Sequence, residues 1–136
     1  MKKSQLMLLS ICKNHLYAVV LQCSGHYCGY VCLNDDENTI FCNAEKLIDC
    51  HGGITFISRE SGDWVLPRGK WIGFDCAHSG DGIDIYAVKK IFGKEAAEYA
   101  ESYHFATENE KVFTPRIVAK MCKNIVYQIE KLKTNI

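Results

Sequence analysis

Trp71-Ile72-Gly73-Phe74-Asp75-Cys76-Ala77-His78-Ser79-Gly80-Asp81-Gly82 is an apolar run that opens into small and ionisable residues. Lys70 to Phe74 reads as a short buried strand, and Gly80 and Gly82 place the residues after it in a loop. Asp75, His78 and Asp81 therefore stand where a strand ends, held by a sheet yet within reach of solvent. One strand earlier, Ile54-Thr55-Phe56-Ile57 reads as a partner, joined to Lys70 by a polar loop from Ser58 to Gly69. Antiparallel pairing of two such neighbours is the economical topology, and it sets the start of one beside the end of the other. Asp49 and His51, just before the first strand, are thereby expected next to Asp75 and His78.

Working outward, His15 to Leu21 and Tyr27 to Leu33 are rich in β-formers, and the glycine-containing link between them reads as a hairpin. Gly29, inside the second of these strands, predicts a bulge or a close approach. Asn34 to Asn38, with Asp35, Asp36 and Glu37, reads as an acidic surface loop, and Ala44 to Ile48 as one helical turn. Lys94 to Tyr103 is helical in composition. Thr114 and Pro115 form an N-cap and first turn, after which Ile117, Met121, Ile125, Ile129 and Leu132 recur at helical spacing, widened by Val118, Cys122 and Val126. The expected architecture is α+β: one domain over residues 1–136, an antiparallel sheet covered by a long C-terminal helix.

The chain has 136 residues, 48% of them hydrophobic, and a formal net charge of zero. That excludes a disordered chain and the electrostatic footprint of a protein that binds extended nucleic acid. The basic tail from Lys111 follows an acidic stretch from Glu95 to Glu110, which reads as solvated neighbours of opposite sign. Met1 to Cys12 imitates a signal peptide, but Lys13, Asn14 and His15 cut its apolar region short, so it is expected to join the fold. No run approaches a membrane span, and a cytoplasmic location with eight reduced cysteines is expected. The spacing of Cys23, Cys28 and Cys32 lacks the paired knuckles of structural zinc.

Five groups are candidates for chemistry: Asp49, His51, Asp75, His78 and Asp81. Carboxylates and imidazoles of this kind can hold a divalent metal ion with a water for hydrolysis, with Asp49, His51, Asp75 and His78 as ligands. They can equally run metal-free acid–base catalysis. A third reading is binding alone, with the backbone N–H groups of Gly52-Gly53 and Gly80-Asp81-Gly82 cradling an anion and Thr55, Trp64 and Arg68 as further ligand contacts. Cys50 and Cys76 flank the histidines, but alternation turns them away from the site.

Asp49-x-His51-Gly52-Gly53-x-Thr55-Phe56 with Gly73-Phe74-Asp75-Cys76-Ala77-His78-x-Gly80-Asp81 resembles the signature of a family of small uncharacterised proteins of phages and bacterial genomes, and Cys28-Gly29-Tyr30-Val31 is similar to the N-terminal part of that group. The resemblance implies a compact α+β domain and an origin in a phage or its host. Phage proteins of this size often counter host defences, some by destroying or sequestering nucleotide signals. On this basis the expected function is hydrolysis of a phosphorylated or nucleotide-like small molecule, in the host cytoplasm if the chain is phage-encoded. The alternatives are a non-catalytic sponge for such a ligand and an inhibitor that binds a host defence protein. A homo-oligomer is the other protein partnership to consider.

Overall fold

Runs of β-branched and aromatic residues separated by tight turns build the first third of the chain into a meander. The computed structural model describes residues 3–61, 65–78, 80–104 and 106–135. Strands β1 (Ser4–Cys12), β2 (His15–Gln22) and β3 (Tyr27–Leu33) pair antiparallel in sequence order. The β1–β2 turn passes through Lys13 and Asn14, both left-handed at φ 45° and 63°, as a two-residue hairpin turn requires. A 3₁₀ turn (Asp35–Glu37) and the short helices α1 (Asn38–Cys42) and α2 (Ala44–Leu47) lead to β4 (Phe56–Ser61) and β5 (Gly69–Asp75). Then come α3 (Ile85–Phe92), α4 (Lys94–Tyr103) and α5 (Pro115–Thr134). The sheet order is β1-β2-β3-β5-β4, antiparallel throughout.

Both faces of the sheet are covered, which is why its central strands are nearly continuous in apolar residues. Val19, Leu21, Val31, Ile72 and Phe74 share one core with Val118, Cys122, Ile125, Val126 and Ile129 of α5. Ile117, Met121 and Leu132, expected at the middle of that stripe, lie at its partly buried margin. Thr114 caps α5 by accepting from the Ile117 N–H. Gly29 is a place of close approach: a Cβ there would lie 2.5 Å from the Phe74 ring and 2.8 Å from Cys122 Sγ. On the opposite face Ala18, Val20, Tyr30, Leu66 and Trp71 form a second cluster. The Trp71 indole N–H donates to the Pro67 carbonyl (2.8 Å), tying the loop over that face.

The segment before Lys13 joins the fold as expected, Ser4–Cys12 forming the edge strand β1 paired with β2. Several other elements differ from expectation. β4 starts at Phe56 rather than Ile54 and runs into the segment that reads as a polar loop. Helix α3 carries no clear signal in the sequence; Asp84 starts it by accepting from the Ala87 N–H. Glu37, placed in an acidic surface loop by its neighbours, is buried. No described helix is long and apolar enough to cross a membrane.

All eight cysteines are free thiols, and only Cys42 is exposed. Titration with a thiol reagent under denaturing, non-reducing conditions should therefore recover close to eight equivalents. Recovery of six or fewer would show disulfides that this fold does not contain.

Candidate functional site

The strand registers define two ends of the sheet. Gln22, Tyr27, Phe56 and Asp75 mark one end, and His15, Leu33, Ser61 and Gly69 the other. The first end carries the candidate chemistry. The Asp49 main chain is pinned from α5, its N–H donating to Gln128 Oε1 (2.8 Å) and its carbonyl accepting from Gln128 Nε2 (2.6 Å). The chain then reverses through Gly52 (φ 70°) and Gly53 (φ 82°), closed by the Gly53 N–H donating to the Cys50 carbonyl. Past β5, a second turn closes when the Asp81 N–H donates to the His78 carbonyl (2.9 Å). Gly80 and Gly82 clamp this turn to Lys111 through backbone hydrogen bonds of 2.9 and 2.7 Å.

These two turns bring His51, His78 and Asp81 together. His51 Nε2 lies 3.1 and 2.9 Å from the two Asp81 oxygens. A carboxylate only accepts, so Nε2 carries the hydrogen and, in the neutral ring, Nδ1 presents a lone pair. Nδ1 has no hydrogen-bond partner among the described residues. Asp81 Oδ2 also accepts from the His78 N–H (3.0 Å) and from His78 Nδ1 (3.2 Å). The imidazole centroids are 5.2 Å apart at 79°, and Phe113 stands against His51 at 4.9 Å. Asp81 is 6% exposed while the His51 and His78 side chains are 31% and 37% exposed, so a buried carboxylate supports two rings that meet solvent. Burial opposes ionisation of Asp81, but the hydrogen bonds from His51 and the His78 N–H outweigh it and hold its carboxyl below the usual range.

The other predicted residues divide. Asp75 caps a turn, accepting from the Ala77 N–H (3.1 Å), and takes the Thr55 hydroxyl on its other oxygen (3.0 Å). It also stands 3.6 Å from His78 Nε2, an ion-pair distance beyond hydrogen bonding. Asp49 is exposed and among the described residues makes no side-chain contact with the cluster; its role is through its main chain. Arg68 precedes β5 at the far end of the sheet, roughly 20 Å from Asp75 at 3.3 Å per residue, so it does not belong to this site. Trp64 lies outside the described residues. The expected anion cradle is largely committed, because the N–H groups of Gly53, Asp81 and Gly82 all serve the turns. Gly52 has a different use: a Cβ there would overlap the His78 ring. Gly52→Ala should therefore cost at least about 1 kcal/mol for its left-handed backbone and displace His78 as well. A melting curve with histidine ring spectra checks this, and an unmoved His78 would refute it.

Cys50 and Cys76 are poor nucleophiles: burial pushes their thiols up to about 11 and about 12. A second cluster, His15 with Glu37 and Glu130, occupies the far end of the sheet. His15 Nδ1 faces the Lys13 carbonyl and Nε2 faces Glu37, both at 2.7 Å, so both nitrogens donate and the ring is an imidazolium. Lys133 Nζ stands 3.0 Å from the same carboxylate. Two resident cations on the Glu37 carboxylate make this a structural ion pair. Among residues the sequence did not single out, Gln128, Phe113 and Glu37 matter most, and only contacts distant in sequence reveal them.

The fold and the cluster define a small α+β domain with two solvent-facing imidazoles on one buried carboxylate at a sheet end. The chain matches no protein-family model, no curated protein and no solved structure.

Proposed function

We propose that this protein hydrolyses a phosphorylated, nucleotide-like small molecule by two-histidine acid–base catalysis. The observation that carries the reading is the shared Asp81 carboxylate, which orients both imidazoles and leaves His51 Nδ1 open. His51 is the base: Nδ1 takes a proton from the attacking water while the water oxygen forms a bond to phosphorus. His78, with Asp81 on one nitrogen and Asp75 facing the other, is the acid. It gives the Nε2 proton to the leaving oxygen as the P–O bond breaks. The positive charge, on His78 before the step and on His51 after it, stays beside the reacting phosphoryl group and stabilises its charge. The phage-type signature supports a nucleotide signal of host defence as the substrate, met in the host cytoplasm.

A second reading rests on the same atoms: one ligand atom each from His51, His78 and Asp81 lies within 4.8 Å of the others. A two-histidine, one-carboxylate set with an open position suits a catalytic divalent ion that activates water. Both readings are tested by one assay of bis(4-nitrophenyl) phosphate and of mono-, di- and cyclic nucleotides, with EDTA or with added divalent ions. Turnover unaffected by EDTA is expected. Turnover abolished by EDTA and restored by zinc or manganese selects the metal reading, and binding without turnover selects sequestration.

A further inference from the structure

A recess of about 140 Å³ at the same end of the sheet is lined by Cys23, Ser24, His26, Tyr99, Ala100, Tyr103 and His104, with the Ser24 hydroxyl 3.3 Å from His26 Nδ1. It neighbours the acid–base cluster, close enough for His26 to feel the charges of Asp81 and Asp75, and shared segments link the two. His26 precedes β3, where the Tyr27 carbonyl accepts from the Cys76 N–H, two residues before His78. His104 is held by Glu110 (3.0 Å), whose neighbour Lys111 clamps the Gly80–Gly82 turn. Four of the five histidines thus gather here, as two ring pairs, His51 with His78 and His26 with His104, the latter 6.2 Å apart.

The walls of this recess are of a different kind from the hydrolytic cluster. Tyr99 and Tyr103 pack 4.7 Å apart beside the buried Ala100 yet are 67% and 74% exposed, leaving aromatic surface toward solvent. Burial, and next the nearby His104, lower His26 from the ordinary histidine value, which favours the neutral ring and suits it to a heterocycle edge. At about 140 Å³ the recess falls short of the roughly 300 Å³ of a whole-ligand pocket, which fits one planar ring.

We propose that this recess is the ring-binding subsite of the His51–His78 site, taking the nucleobase of a substrate whose phosphate lies at the two imidazoles. This rests on the hydrolytic reading for its second half and on the recess alone for its first. Stacking on the tyrosines supplies affinity, and His26 Nε2 and His104 Nδ1, the nitrogens not taken by Ser24 and Glu110, meet the polar edge of the base.

The test uses histidine ring resonances, which number five and report the two pairs separately. Adenosine, guanosine, cytidine and uridine, which lack phosphate, are titrated first, then inorganic phosphate. At least one nucleoside should shift His26 and His104, and Tyr103→Ala should weaken it about tenfold or more while leaving the phosphate response of His51 and His78 intact. Tyr103 is exposed, so its removal should not unfold the chain, and a melting curve verifies this. No response of His26 and His104 to any nucleoside at about 10 mM, tenfold above the roughly 1 mM Kd expected when stacking on the tyrosines acts together with hydrogen bonds to the base edge, would overturn the subsite. Nucleoside shifts without a phosphate response at His51 and His78 would support a ring site and overturn its link to hydrolysis.

Discussion

Glu37→Ala is expected to destabilise the fold by about 3 to 5 kcal/mol, seen as a drop in melting temperature of roughly 10 °C or more. The Glu37 side chain is fully buried and accepts from the Asn34 N–H (2.7 Å), His15 Nε2 and Lys133 Nζ. Truncation strands the His15 imidazolium, itself 1% exposed, with no carboxylate at 2.7 Å. Replacing both partners, as in His15→Leu with Glu37→Met, should recover part of the loss, since a buried pair is costly chiefly when half of it remains. The pH dependence is set by the direction of the shift. Burial disfavours the charged carboxyl, but its three donors outweigh that and hold Glu37 below the ordinary glutamate range. As pH falls, the unfolded chain therefore takes up the proton first. The stabilisation is complete above about pH 4.3 and is lost as pH drops through the folded value. Asp81 is shifted in the same direction and adds to the same acid limb. A Glu37→Ala protein that melts within about 2 °C of the wild type would show the pair to be dispensable.

Asp81→Asn should cost catalysis far more than structure. The amide is nearly isosteric, and its oxygen can still accept from the His78 N–H, a 3.0 Å contact in the parent. It cannot accept from both imidazoles as the carboxylate does, so the ring tautomers that leave His51 Nδ1 open and His78 Nδ1 protonated are no longer both enforced. A fall in kcat of about 10² to 10⁴ with a KM changed by only a few fold is expected. Steady-state kinetics on the best substrate of the nucleotide panel, with the pH profile of kcat/KM, checks it. The parent should give a bell-shaped profile and the variant a flattened one. Equal loss in KM and kcat, or none, would assign Asp81 to the turn alone.

Much of this could be read from residue order because local physics decides it. The strand-like runs, the Thr114-Pro115 start of α5 and the antiparallel pairing of β4 with β5 follow from propensity, capping and chain economy. That pairing is what placed His51 near His78, now 5.2 Å apart. The errors occur where long-range contacts decide. Asp49 shares a local pattern with His51, but Gln128, far along the chain, takes its main chain and leaves its carboxylate exposed. Glu37 looks like one acidic loop residue among three until His15 and Lys133 arrive from β2 and α5. Arg68 stands close before Asp75 in sequence, yet the intervening β5 sets the two at opposite ends of the sheet. His26 and His104 have no common motif and meet only through the fold.

The central claim is that His51 and His78 act on a ligand and do not merely brace two turns. The most direct measurement compares His51→Ala and His78→Ala with the parent, taking melting temperature and turnover of the best substrate of the nucleotide panel from the same preparations. The account predicts melting temperatures within a few degrees of the parent, because both rings are about one-third exposed, with turnover reduced about 100-fold or more in each variant. A fall of roughly 10 °C or more in melting temperature, with turnover of the surviving folded protein unchanged, would contradict it.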